Sequence, residues 1–287
     1  MIKIEFEKEE LVKSPLNFTG GKYKLLPQIL PLFPNNINTF IDLFTGGCNV
    51  GINIKANKII CNDIQEEVIR FLKICKELSS KEMLEQLHII KEKYKLSKTN
   101  KEGYLNLRKD YNLGNKNWDM FYSLVAHSFS NQIRFNRKGE FNLPFGDRYF
   151  NPNLQDRFVK FVDKLKDINI EFTNKNFKEI NIDNLHNDDF IYCDPPYLIT
   201  VASYNENGGW NENKEKELLN LLDDLHNKEI KFALSNVLIH KGKSNDILIE
   251  WSKKYNVHHL NNTYSSCNYH TKDRSKNSSD EVLITNY

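Results

Sequence analysis

The string YCDPPY at 192–197 puts a carboxylate, two prolines and an aromatic ring in a row, directly after the apolar pair FI. Proline cannot donate to a sheet ladder, so a strand entering this string must end there. Asp194 and Tyr197 are then held on a stiff turn at the strand's carboxyl end, where open α/β sheets bind ligands. Chance delivers a given four-residue string in on the order of two per thousand chains of this length at ~5% usage per residue. The chemistry is readable. An exocyclic amine on a base is a poor nucleophile because its lone pair is delocalised into the ring. A carboxylate (Asp194) and a proline-turn carbonyl (Pro195, stiffened by Pro196) can accept both amine hydrogens, localising and aiming that lone pair. Tyr197 can stack on the base, and a base must leave its duplex to reach such a pocket.

Two glycine turns accompany this string. FIDLFTGGCNVG at 40–51 runs a strand into Gly46 and Gly47, allowing a tight turn and close backbone approach. Its spacing departs from G-x-G-x-x-G, so it reads equally as a plain strand-to-helix turn. Asp63 ends the next strand and suits a ribose hydroxyl or, as readily, the N-cap of the helix that follows. NFTGGKYK at 17–24 lacks P-loop spacing and is either an anion-binding helix start or a flexible turn.

The elements that must position these residues alternate. Apolar runs at 40–44, 58–63, 170–174, 189–194, 231–236 and 281–287 read as buried strands, with a weaker one at 257–264. Amphipathic segments lie between them. IQEEVIRFLKICKEL puts Val68, Phe71, Leu72 and Cys75 on one stripe, and NKEKELLNLLDDLH does the same with its leucines. GKYKLLPQILPLF is helical but broken by Pro27 and Pro31. SNDILIEWSKKY is helical with Ser244 as the expected N-cap. The pattern predicts a mostly parallel sheet covered on both faces. From 67 to 160 the rhythm breaks into an inserted, mostly helical lobe, ending in a hairpin in which Phe135 and Phe141 flank NRKG. The loops at 198–213 and 265–280 are long and polar.

Bulk properties narrow the classes. The 287 residues carry 39% hydrophobic and 27% charged residues and a net charge of +2. No apolar run approaches the ~20 residues of a membrane helix, and the start of the chain lacks an apolar signal core, so a cytoplasmic protein is expected. Five cysteines without a C-x-x-C pair argue against a disulfide framework or a zinc site. No metal is expected.

Taken in order, FTGGK at 18–22, FIDLFTGGCNVG at 40–51, ND at 62–63 and DPPY at 194–197 make the chain resemble the Dam-type (D12 class) DNA adenine-N6 methyltransferases. NRKGEFNLPFG at 136–146 and the final DEVLITNY agree. The resemblance spans nearly the whole chain. It implies a Rossmann-like S-adenosylmethionine-dependent fold, with a catalytic domain at 1–66 and 161–287 and a target-recognition domain at 67–160. It implies donor contacts at Phe18, Gly20, Gly21, Lys22, Asp42, Phe44, Gly46, Asp63, Asn176, Phe177 and Asp194. It also implies double-stranded DNA as substrate, contacted by Asn131, Gln132, Arg134, Asn136, Arg137 and Lys138 around the hairpin and by Lys272 and Arg274 in the late loop. A restriction endonuclease acting on the same site is the implied companion; whether the enzyme is a monomer or a dimer stays open.

Arg134 falls where the family reads a guanine, although a phosphate contact serves an arginine there equally. Phe18 stands where the family often has Trp. Asn176 replaces an acid, which implies altered donor affinity rather than loss. SNQIR at 130–134 departs from the NGL-x-R of GATC methylases, so GATC is not carried over as the target. Methylation of an RNA base or a protein amide, or DNA binding without catalysis, are the competing readings.

Overall fold

The computed structural model describes residues 11–18, 20–114, 116–200, 209–261 and 279–287. Eight strands form one sheet: β1 Thr39–Asp42, β2 Lys58–Asn62, β3 Ile170–Thr173, β4 Phe190–Cys193, β5 Lys231–His240, β6 Lys243–Ser244, β7 Asn256–Leu260 and β8 Ser279–Thr285. Their order is β3-β2-β1-β4-β5-β8-β7, with β6 paired to β5. The first five of that row run parallel. β8 inserts antiparallel between β5 and β7. The order reverses between β1 and β4, so the crevice beyond their carboxyl ends is the expected ligand site.

Burial on both faces explains the unbroken apolar runs. Alternate residues serve opposite faces. Phe40, Ile59, Cys61, Phe190 and Tyr192 join one hydrophobic cluster. Ile41, Leu43, Ile191, Cys193 and Phe232 join the other. The first face is covered by α2 Glu66–Glu77 and the helices between it and β3; the second by α7 Glu212–Asn227 and α8 Asp246–Ser252.

The expected helix of Val68, Phe71, Leu72 and Cys75 forms as α2, with that stripe buried. The two prolines cut Lys22–Leu32 into three short pieces, 3-10 turns at Lys22–Leu25 and Leu30–Leu32 around α1 Leu26–Ile29. The N-cap of α8 differs from expectation. Asn245, not Ser244, accepts the Leu248 N–H, while Ser244 lies in β6 and donates to Asp246 Oδ1. Both residues can cap, and the pairing of β6 with β5 draws Ser244 into the sheet. β5 also runs past the expected 236, through a bulge between Val237 and Ile239.

Residues 67–160 contain α3 Ser80–Tyr94, α4 Lys101–Asn112 and α5 Trp118–His127, and the expected limits fall inside α2 and α6 Pro152–Lys166. Phe71 of α2 stacks on Tyr122 of α5 at 5.0 Å and 10°, within a cluster that also holds the sheet residues Phe40 and Tyr192. After α5 the chain folds back on itself. Phe135 and Phe141 meet in an isolated antiparallel bridge rather than in paired strands, and Asn136 and Glu140 close the turn between them.

Candidate active site

β4 ends at Cys193, and Asp194 is the first residue beyond it. Lys22 Nζ lies 2.7 Å from Asp194 Oδ1 and 2.8 Å from Oδ2. The lysine is 2% exposed and also donates to the Gly20 carbonyl at 2.9 Å, which fixes it to the FTGGK turn. The Tyr197 hydroxyl shares its hydrogen between Asp194 Oδ1 and Glu281 Oε1, each at 3.2 Å. Lys22 Nζ sits 3.5 Å from Glu281 and 5.0 Å from the centre of the Tyr197 ring. One buried ammonium thus serves two carboxylates and a phenol. Burial raises the Asp194 pKa even though Lys22 pulls it down. Burial, Asp194 and Glu281 together push the Tyr197 phenol well up, so it remains a donor.

The glycine turn wraps the end of β1. Gly46 adopts φ +47° and donates to Asp63 Oδ2 at 2.8 Å. A Cβ there would meet the Phe18 ring at 3.5 Å, so the turn lies against the FTGGK segment. Asp63 Oδ1 accepts the Gln65 N–H at 2.9 Å. Gln65 is the N-cap of α2, so Asp63 ties the glycine turn to the helix entry without itself being the cap. Its pKa is raised by burial against those backbone donors. Asp42 is 1% exposed, and its Oδ1 has no hydrogen-bond partner among the described residues. Burial first, then the nearby Asp194 charge, pushes its carboxyl up to about 8.

Three aromatic rings pack together beyond the ends of β1 and β3. Phe44 and Phe177 lie 5.6 Å apart, and Trp210 packs edge-on to Phe44 at 5.6 Å and on Phe177 at 5.8 Å. Asn176 caps the short turn Phe177–Glu179, accepting the Lys178 N–H at 3.1 Å. Phe18, Lys22, Asp42, Asp63 and Asp194 are linked to one another by the contacts and charge interactions above. The sequence reading singled out neither Glu281 nor Trp210. A charged residue inside the doubly buried strand DEVLIT was the available signal for Glu281; Trp210 follows a loop and carried none.

The candidate DNA residues form a separate cluster. A cleft of about 370 Å³ is lined by Arg134, Phe135, Asn136, Arg137, Lys138, Glu140 and Asn142. Arg134 Nε donates to Asn142 Oδ1 at 2.8 Å and Nη2 to the Asn142 carbonyl at 3.2 Å, and Nη1 has no hydrogen-bond partner among the described residues. Asn136 donates to Glu140 and accepts the Lys138 and Glu140 N–H groups, so it shapes the turn. The Asn131 amide donates to the Ala126 and Val125 carbonyls at the end of α5. Gln132 is half-buried, and Phe129 beside it is 57% exposed. Lys272 and Arg274 lie outside the described residues.

The mostly parallel α/β sheet, with this cluster of side chains at its switch point, is consistent with the fold of S-adenosylmethionine-dependent methyltransferases. Residues 18–266 match the family of D12 class N6 adenine-specific DNA methyltransferases, and the chain belongs to that family. It is 48% identical over 294 residues to the type II methyltransferase M.FokI of Planomicrobium okeanokoites and 44% identical over 287 residues to the modification methylase StsI of Streptococcus sanguinis. Those matches cover 99% and 97% of this chain but 45% and 43% of the relatives, so the chain spans less than half their length. A type II methyltransferase of Lactococcus lactis subsp. cremoris, M1.LlaDCHI, is 27% identical with 94% of both chains covered.

Proposed function

We propose that this chain transfers a methyl group from S-adenosylmethionine to the N6 amine of adenine at a specific site in double-stranded DNA. The observation that carries the reading is Asp194, placed directly after β4 and before the Pro195–Pro196 pair, and bonded to both Lys22 and Tyr197. The names of the relatives support a type II modification setting, and a companion endonuclease acting on the same site is part of the proposal.

The pocket suits the donor's charge. Asp42, Asp63, Asp194 and Glu281 gather there, and Lys22 is the ammonium paired within the cluster. The partnerless Asp42 oxygen and three raised aspartate pKa values mark a site that gains from a cation. Phe18, Phe44 and Phe177 offer apolar walls, Asp63 an acceptor for hydroxyls, and Lys22 a partner for a carboxylate. When bound, the donor supplies an electrophilic methyl group on a sulfonium.

The residues of the chain do the rest. Asp194 accepts one N6 hydrogen and the Pro195 carbonyl the other, aiming the amine lone pair. Lys22 and Tyr197 already occupy both Asp194 oxygens, so the incoming amine takes over one of those contacts. Tyr197 stacks on the flipped adenine. Asp194, with its raised pKa, is a neighbouring base for the proton that N6 sheds. Alignment of the reacting groups supplies much of the rate.

Residues 67–160 act as the target-recognition domain in this reading. Arg134, with Nη1 unengaged in the cleft, reads a guanine, and Arg137 and Lys138 meet phosphate. Lys272 and Arg274 add phosphate contacts, and the enzyme works in the cytoplasm. The test is transfer of labelled methyl from S-adenosylmethionine to unmethylated duplex DNA, RNA and protein in parallel. Label in adenine of the duplex, lost in a folded Asp194→Ala variant, is expected. Label in RNA or protein alone, or full activity of Asp194→Ala, overturns the reading.

A further inference from the structure

Glu215 is 1% exposed on α7, yet the partners of its carboxylate among the described residues are all neutral. Trp210 Nε1 donates to Oε2 at 2.5 Å, and the Asn245 and Asn236 amides donate to Oε1 at 2.9 and 3.2 Å. A buried carboxylate without a cation is costly, and an apolar side chain would pack there at less cost. What the carboxylate does is fasten three donors from different places: the segment entering α7, strand β5 and the N-cap of α8. Indole nitrogen is a donor only, so its bond to Glu215 also fixes which way the ring faces. That ring is 8% exposed and completes the aromatic trio with Phe44 and Phe177.

The three rings come from widely separated parts of the sheet. Phe44 follows β1 beside the glycine turn, and Phe177 follows β3. Trp210 arrives from the segment between the catalytic turn after β4 and α7. Phe44 and Phe177 are among the proposed donor contacts, and Trp210 packs on both.

We propose that Trp210 forms a wall of the methyl donor's pocket and that Glu215, behind it, is the positioning residue that sets the indole. This rests on the donor reading of Phe44 and Phe177. Glu215 touches no substrate; it acts through Trp210. Glu215→Gln replaces one acceptor oxygen with an amide donor, so the indole N–H loses its partner or turns away.

The test uses the full chain labelled with 5-fluorotryptophan, whose fluorine resonances report Trp118, Trp210 and Trp251 separately. The Trp210 signal is assigned by its absence in Trp210→Phe. Adding S-adenosylmethionine shifts the Trp210 resonance and leaves Trp118 and Trp251 in place. In kinetics, Glu215→Gln raises the donor KM about tenfold, the loss of one hydrogen bond expressed on the affinity scale. The DNA KM changes little. Trp210→Phe, which keeps a ring and loses the N–H, shows the same donor effect and is insensitive to a second change at Glu215. If the donor binds the wild-type chain while the Trp210 resonance stays still, the inference is wrong and the proposed function stands. Equal rises in both KM values, or a fall in kcat alone, also overturn it. A wild-type chain that binds no donor removes the proposed function itself. The resonance measurement needs no Glu215 variant, so the wall role of Trp210 is open to refutation even where Glu215→Gln misfolds.

Discussion

Lys22 and Asp194 stand 172 residues apart in the chain and meet in an ion pair of 2.7 Å, with the lysine buried. The pair clamps the FTGGK segment to the DPPY segment. Glu281 shares the same ammonium at 3.5 Å, so removing the lysine leaves two carboxylates facing each other.

Lys22→Ala is therefore expected to destabilise the fold by about 3 kcal/mol, the low end for breaking a buried pair because Asp194 is 19% exposed. Adding Asp194→Asn to that variant should return part of the loss, because a buried charge disappears with it. Urea denaturation of the two single variants and the double variant measures this. A double variant less stable than the sum of its parts would contradict the clamp.

Asp42 should make binding of the proposed methyl donor depend on pH in a defined direction. Its carboxyl sits at about 8 in the fold against an ordinary 3.8. A raised carboxylate pKa means that its stabilising contribution is full below 3.8 and is lost as pH rises through about 8. Asp63 and Asp194 shift the same way. The free protein should lose stability across that window, less steeply in Asp42→Asn. A cationic donor favours the ionised form, so binding below the upper limit releases a proton and tightens as pH rises. Calorimetry at neutral pH in two buffers of different ionisation enthalpy reads the proton release; identical heats would exclude it.

Much of this framework was legible because apolar runs buried on both faces leave a strong mark. FIDLF, KIICND, DFIYCD and EVLITNY all became strands beside the site, and the positions of Pro27 and Pro31 foretold the broken segment after Lys22. What stayed hidden depends on contacts between distant segments. Ser244 and Asn245 are both competent caps, and only the pairing of β6 with β5 decides between them. The Glu281 carboxylate reaches Tyr197 from 84 residues away. Glu215 looks like one more polar position on an amphipathic helix until β5 and α8 close over it. The ordering of FTGGK, the glycine turn and DPPY carried the site as a family pattern, whereas the ion pair that joins the first and last of them is a property of the folded chain.

Gly51 tests the packing beneath the glycine turn. A Cβ at this position would fall 2.4 Å from Cys61 Sγ and 3.2 Å from Cys48 Sγ, and those two buried sulfurs are already 3.7 Å apart. Gly51→Ala should cost about 1–3 kcal/mol through overpacking. Cys61→Ala removes the obstructing sulfur, so it should recover stability in the Gly51→Ala background while lowering it in the wild type through the cavity it leaves. Thermal melts of the four proteins give the coupling; additive shifts would show that the backbone relaxes around the methyl instead.

Arg134 and its neighbours Arg137 and Lys138 should separate sequence reading from backbone attraction. Asn142 holds Arg134 by side chain and carbonyl, which fixes the guanidinium, and in the proposed reading Nη1 meets a base edge. Arg137 and Lys138 are exposed at the tip of the turn. Arg134→Ala should therefore relax the preference at a single base pair by about 1–3 kcal/mol. Arg137→Ala and Lys138→Ala should weaken binding evenly across sequences and lower the salt dependence, by about one phosphate contact each. Asn142→Ala, which removes one of the two Arg134 bonds, should mimic Arg134→Ala in part, without the uniform loss of a phosphate contact. Methylation profiles over a randomised duplex library, together with binding at several salt concentrations, distinguish these outcomes. An Arg134→Ala enzyme with unchanged site preference and a shallower salt slope would move Arg134 to the phosphate group.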